Sequence, residues 1–181
     1  SFARVLESTS VDCILVGDSA AMVMHGHADT LAATVELMAL HTAAVRRGAP
    51  TRFLIGDLPF LSFRKGVPAA LDAAAALMRA GAQSVKLEGV TGHEDVIEAL
   101  VGSGIPVMGH LGLTPQSVNA LSGFRVQGRR EDDAMRIVED ARRLEALGCF
   151  SIVLECVPSA LGARITQALT IPTIGVGAGI H

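Results

Sequence analysis

An α/β fold of alternating strands and helices on one parallel sheet is what this sequence predicts, and three observations carry the prediction. Short apolar runs of strand type recur six times, at 13–17, 52–56, 84–88, 105–110, 151–155 and 173–177. Longer Ala- and Leu-rich segments with helical spacing, and with Gly near their ends, lie between them. Half of the 181 residues are hydrophobic, yet only 3% are aromatic and 19 are glycine, a composition that suits helices laid closely on strands buried on both faces. No Pro/Gly/Ser-rich linker interrupts the chain, so a single domain over residues 1–181 is expected.

Taken in order, "FARVLES" (2–8) reads as a helix and "CILVG" (13–17) as the first strand, running directly into Gly-Asp-Ser. "RFLIG" (52–56) is the second strand and leads to the helix "AALDAAAALMRAGA" (69–82). "SVKLE" (84–88) and "IPVMGH" (105–110) follow, and then the longest irregular stretch, 112–132, which is long enough for a functional loop or lid. "DDAMRIVEDARRLEALGC" (132–149) is the next helix, with "SIVLE" (151–155) and "TIGVG" (173–177) as the last two strands. Repeated βα units require a parallel sheet with right-handed crossovers, which leaves an open doubly wound sheet or most of a (β/α)8 barrel. A helix with no strand before it, and a last strand with nothing after it, favour the barrel. The expected fold is a (β/α)8 TIM barrel lacking its first strand and its C-terminal closing segment, about two strands in all.

A formal net charge of −3 and a pI near 6.0 give no reason to expect general affinity for nucleic acid or anionic membrane. No run approaches the roughly 20 apolar residues of a membrane span, and residues 1–12 do not have the charged-then-apolar pattern of a leader, so none is expected before the first strand. Cys13, Cys149 and Cys156 have no metal-ligand spacing, and reduced, buried thiols of a cytoplasmic protein are the plain reading. The expected partner is a small molecule.

Chemistry gathers where the strands end. Period-2 alternation puts Ile14, Val16 and Asp18 on one face, as it does Phe53, Ile55 and Asp57, and Ser84, Lys86 and Glu88, with Val153 and Glu155 a fourth set. With these faces inward, Asp18, Asp57, Glu88, His110 and Glu155 reach the C-terminal rim, where barrel enzymes place their chemistry, with Lys86 one layer below. Asp18 and Ser19 also suit a helix N-cap, but Glu and His are poor caps, so capping does not account for the set. Crowded carboxylates need positive charge among them. A hard divalent cation fits an all-oxygen set, and Mg2+ with Lys86 formally balances Asp18, Asp57 and Glu88, leaving Glu155 as a spare base.

The residues also carry a resemblance. "VGDS" (16–19), "DLPF" (57–60), "MRAGAQSVKLEG" (78–89), "PVMGHLGLTPQSVN" (106–119), "GFRVQGR" (123–129), "LECVP" (154–158) and "IPTIGVGAG" (171–179) closely resemble the ketopantoate hydroxymethyltransferase family. The resemblance implies a cytoplasmic (β/α)8 barrel, a homodecamer, of pantothenate biosynthesis. It implies transfer of a hydroxymethyl group from 5,10-methylenetetrahydrofolate to 3-methyl-2-oxobutanoate, giving 2-dehydropantoate. It further implies Asp18 and Asp57 as direct Mg2+ ligands, with Glu88 in the same metal site. Ser19, Lys86 and His110 are then substrate-side residues, with Asp18 and Asp57 also close to the substrate, and Glu155 is the proton acceptor. The family's first strand, with its Tyr-Asp pair, and the segment after "GVGAG" have no counterpart here, and Leu61 replaces a more usual small residue, which would narrow the pocket rim.

Several rival readings are separable. "HGH" (25–27) has the His-x-His form of zinc amidohydrolase barrels, with Lys86 and His110 as further candidates, but it falls well past the strand end and fits a surface loop better. His41 fits an ordinary helix residue, Cys156 a structural thiol facing the helices, and "GRRED" (128–132) a solvated turn in which a lid role for Arg129 or Arg130 has little support. A Mg2+-dependent lyase or mutase of the phosphoenolpyruvate mutase/isocitrate lyase superfamily is the main alternative enzyme, although the cysteine-bearing loop of those lyases is not found. A catalytically silent assembly subunit is the alternative outside catalysis.

Overall fold

The computed structural model describes residues 2–121 and 123–180; Ser122, in the expected loop, and the terminal Ser1 and His181 lie outside the described residues. All six expected strands form: β1 (Cys13–Val16), β2 (Phe53–Asp57), β3 (Ser84–Lys86), β4 (Val107–Gly112), β5 (Ser151–Glu155) and β6 (Thr173–Val176). They make one parallel sheet in the order β1-β2-β3-β4-β5-β6. Sequential order without reversal is the winding of a barrel, since a doubly wound sheet reverses its strand order at a switch point. The sheet curls, so that side chains from β1 and from β6 line the same cavity on its concave face.

Among the described residues, seven helices accompany the strands: α1 (Phe2–Glu7), α2 (Ala20–Val23), α3 (Val35–Gly48), α4 (Val67–Arg79), α5 (Glu94–Gly102), α6 (Glu131–Ala146) and α7 (Ser159–Ala168). Local chemistry sets several of their starts. The Thr34 hydroxyl accepts from Leu37 N–H at 3.1 Å to cap α3, and α6 opens on Glu131, Asp132 and Asp133 at the positive end of its dipole. Helical spacing then decides what is buried: Ala70, Ala73, Ala74 and Leu77 of α4, and Ala134, Ile137, Val138, Ala141 and Leu144 of α6. Close packing needs small partners. A Cβ on Gly109 of β4 would lie 2.7 Å from Leu144 Cδ1, so glycine is what allows α6 to seat there.

Two apolar layers result. The larger lies between helices and sheet and contains Ile14, Val16, Leu54, Val85, Val107, Ile152 and Leu154 from the strands. The smaller, Ile55, Met108 and Val153 with Cys13, Phe53 and Phe150 against it, fills the concave side. The Phe53 and Phe150 rings meet edge to face, 6.0 Å apart.

This layering corrects the expected face of β1. Ile14 and Val16 point to the helices, whereas Cys13 and Leu15 point into the cavity. The register agrees, because Leu15 is paired with the inward Ile55. Cys13 is therefore not a buried thiol of the helix layer, and only Cys149 of the three free cysteines is fully buried. Lys86 is also one level higher than expected, since it is in register with Asp57 itself.

Candidate active site

Each site residue arrives by the strand before it. Asp57 closes β2 and Lys86 closes β3; their side chains meet, Nζ to Oδ1, at 2.6 Å, both buried. Glu88 lies two residues past β3, held in line because Leu87 N–H and Gly89 N–H continue to donate to the carbonyls of Met108 and His110. His110 projects inward from β4, and Glu155 is the last residue of β5. Asp18 gets there differently. The chain turns after β1, and the Asp18 N–H donates to Asp57 Oδ2 at 3.2 Å, which brings its buried carboxylate in over the strand end.

The six charged or titratable expectations thus converge. Asp18, Ser19, Asp57, Lys86, Glu88, His110 and Glu155 all line one cavity of about 460 Å³, floored by Ile55, Met108 and Val153. That volume suits a small organic substrate. The cap reading fails for both residues it was offered for: Ser19 occupies the position before α2 without a side-chain cap bond, and Asp18 Oδ2 instead accepts from Gln116 Nε2 at 2.9 Å.

The electrostatics show a site short of positive charge. Burial, then the neighbouring Asp57 carboxylate, raises the Asp18 pKa to about 7, against the opposing pull of Lys86 and Gln116. For Lys86, burial alone would favour the neutral amine, but Asp57 and Glu88 outweigh it and its pKa rises. His110 lies with Nδ1 3.5 Å from Glu88 Oε1 and Nε2 3.2 Å from Glu155 Oε2. Neither approach is aligned as a hydrogen bond. Burial and Lys86 oppose the charged imidazole, yet the two glutamates prevail and raise its pKa.

Backbone geometry at the rim is equally specific. Leu113 N–H donates to the Glu155 carbonyl at 2.8 Å, so the end of β4 crosses tightly against the end of β5. At Gly112, φ is +92° and a Cβ would stand 2.2 Å from that carbonyl oxygen, which only glycine tolerates. Cys156, next to Glu155, holds φ +48° and is half-buried. Among the described residues, no three His, Cys, Asp or Glu side chains form a ready-made metal cage. Mg2+ does not require one, because it keeps several waters and takes one or two carboxylates.

The whole chain, residues 1–181, matches the family model described as Ketopantoate hydroxymethyltransferase. The chain belongs to the ketopantoate hydroxymethyltransferase family. It is 58% identical over 180 residues to the 3-methyl-2-oxobutanoate hydroxymethyltransferase of Bdellovibrio bacteriovorus, covering 99% of this chain and 68% of that one. The enzyme of the same name from Coxiella burnetii is 56% identical over 178 residues, with 98% and 67% covered. The Francisella tularensis enzyme is 49% identical over 179 residues, with 99% and 68% covered. The chain therefore spans about two thirds of the length of these relatives.

Solved structures show the same fold at low identity. One is 2,3-dimethylmalate lyase, a PEP mutase/isocitrate lyase superfamily member, with a TM-score of 0.64 and 18% identity over 94% of this chain and 61% of that one. Another is phosphonopyruvate hydrolase in complex with oxalate and Mg2+, with a TM-score of 0.64 and 12% identity over 98% and 72%. These likenesses establish the curled parallel α/β architecture of a partial barrel.

Other expectations fall outside the site. His25 and His27 are exposed, and His25 Nε2 lies 2.8 Å from His41 Nε2, a surface pair away from the cavity. Arg129 and Arg130 are exposed at the start of α6. Leu61 is not among the residues lining the cavity, so it does not narrow the rim as expected, and it holds φ +61°, a left-handed conformation that glycine adopts most readily. Gln116 is the site residue that sequence reasoning missed, and its place in "LTPQSVN", just past the end of β4, was the available signal.

Proposed function

We propose that this chain performs the family's reaction as a Mg2+-dependent transfer, moving a hydroxymethyl group from 5,10-methylenetetrahydrofolate to 3-methyl-2-oxobutanoate to give 2-dehydropantoate. The observation that carries this reading is the convergence of Asp18, Asp57, Lys86, Glu88, His110 and Glu155 on one cavity. Hard oxygen donors, an Asp18 carboxyl driven up to about 7 and an unbalanced negative charge are what a divalent cation site presents before its ion is bound. Asp18 and Asp57 would hold Mg2+, with Glu88, whose Oε2 accepts from the Gln116 N–H, in the same metal site. Bound there, Mg2+ supplies Lewis acidity to the keto and carboxylate oxygens of the 2-oxo acid, which acidifies the C3–H.

The chain's own residues do the rest. Lys86 offers its ammonium to the substrate carboxylate, and Ser19 an exposed hydroxyl at the cavity mouth. Glu155, partly exposed beside His110, takes the C3 proton, and His110 stabilises the carboxylate form that accepts it. Water adds to the methylene carbon of the folate and its two C–N bonds break, releasing tetrahydrofolate; the C3 carbon bonds to the aldehyde-level carbon so freed, and its oxygen takes the proton back from Glu155 to become the hydroxymethyl group. The proposal extends to a single-domain (β/α)8 barrel in which further strands pair with the free edges of β1 and β6, assembled as a homodecamer in the cytoplasm. No helix among the described residues is long and apolar enough to cross a membrane.

A Mg2+-dependent 2-oxo acid lyase or mutase is the second reading, favoured by the shared fold with superfamily members, one of them holding oxalate and Mg2+. Relatives at 49–58% identity favour the transferase. Incubation of the chain with 3-methyl-2-oxobutanoate, methylenetetrahydrofolate and Mg2+ separates the two. Formation of 2-dehydropantoate, lost in EDTA, is expected; cleavage of 2-oxo acids without any folate-dependent product would establish the lyase.

A further inference from the structure

We infer that Gln116 is a positioning residue of the cation site, fixing by hydrogen bonds which oxygens of Asp18 and Glu88 stay available to a metal ion. The inference rests on the Mg2+ reading above and extends it to a residue outside the expected set. Gln116 is buried in a 3-10 turn (Pro115–Ser117) that follows β4. Its side-chain nitrogen donates to Asp18 Oδ2 at 2.9 Å and to the Leu58 carbonyl at 2.9 Å, while its backbone N–H donates to Glu88 Oε2 at 3.0 Å. One residue in the loop after β4 thereby ties down the chain beyond β1, β2 and β3.

The orientation of the amide follows from its partners. Both atoms in front of it are acceptors, so the NH2 group must face them, and its two hydrogens match the two acceptors. A neutral donor has a particular use here. Asp57 already has Lys86 on Oδ1 and the Asp18 N–H on Oδ2, and Glu88 has the Gln116 N–H on Oε2. With Gln116 holding Asp18 Oδ2 and Glu88 Oε2, Asp18 Oδ1 and Glu88 Oε1 are the oxygens of these three carboxylates that accept no hydrogen bond from the protein among the described residues. A second cation in place of the amide would neutralise Asp18 and compete with the metal; an amide orients the carboxylate and leaves its charge in place. Groups that orient metal ligands in this way typically contribute about 10- to 100-fold to metal affinity.

The test is a calorimetric titration of Mg2+, with 3-methyl-2-oxobutanoate present, into the wild-type chain, Gln116→Met, Asp18→Asn and the double variant, with thermal melting in EDTA as the control for folding. Gln116→Met keeps the backbone N–H and the length of the side chain but removes both amide donors. The expected result is Mg2+ binding on the order of 10-fold weaker in Gln116→Met, with kcat close to wild type once Mg2+ is saturating. In the Asp18→Asn background the second substitution adds no further loss. A folded Gln116→Met chain that binds Mg2+ within about twofold of wild type overturns the inference, whatever its melting temperature. Should Gln116→Met not fold, Gln116→Asn, one methylene too short to span Asp18 and Leu58, carries the same two outcomes. A wild-type chain that binds no Mg2+ instead overturns the underlying metal reading.

Discussion

Lys86 and Asp57 show how much a single pair settles at this site. Their 2.6 Å contact is buried on both sides, so removing one partner strands a charge in a low-dielectric cavity. Lys86→Met is expected to cost about 3–5 kcal/mol in urea unfolding at pH 7 without Mg2+, and a cost below about 1 kcal/mol would show that water already reaches Asp57. Asp18 adds a pH dependence of definite sign. Its folded pKa, about 7, lies above the unfolded carboxylate value, so the folded state holds the proton more tightly and stability falls as pH rises through about 7. Asp18→Asn, which cannot ionise, is therefore expected to melt several degrees above wild type at pH 8 in EDTA and to lose that advantage near pH 4. Equal differences at both pH values would contradict a raised Asp18.

At the scale of elements, the six strands were legible because each is a compact apolar run bounded by Gly, Pro or a charged residue. Which face of β1 looks inward was not legible. Cys-Ile-Leu-Val is apolar on both faces, as parallel strands are, so alternation carries no sign there, and the inward placement of Asp18 depends on the turn after the strand. The convergence of Asp57, Lys86, Glu88, His110 and Glu155 on one cavity was legible because β2, β3, β4 and β5 carry them near or just beyond their C-terminal ends. Gln116 escaped notice for a physical reason: a neutral amide in an irregular loop has neither charge nor periodicity to mark it. Gly112 links the elements to the site. Gly112→Ala, strained at φ +92° and driven into the Glu155 carbonyl, is expected to destabilise by about 3 kcal/mol or more in urea unfolding. A loss under about 1 kcal/mol would mean that the β4–β5 crossing can relax.

On the scale of the whole molecule, an uninterrupted parallel order and a concave face lined from β1 to β6 turn residues more than a hundred positions apart into neighbours. Leu15, Ile174 and Val176 remain partly open on the two edge strands, where a continued barrel would cover them. The helices take the outer apolar layer and leave the inner rim free for charge, which is why the acids gather in a cavity and not across a surface. The function proposed for that cavity is a cation site that would grip a 2-oxo acid beside a base on β5. The direct measurement is NMR of hydrogen–deuterium exchange at C3 of 3-methyl-2-oxobutanoate, with Mg2+ and without folate. The wild-type chain should catalyse exchange that stops in EDTA and falls by about 10²- to 10⁴-fold in Glu155→Gln while calorimetric Mg2+ binding persists. Equal exchange in the two proteins, or exchange indifferent to EDTA, would contradict it.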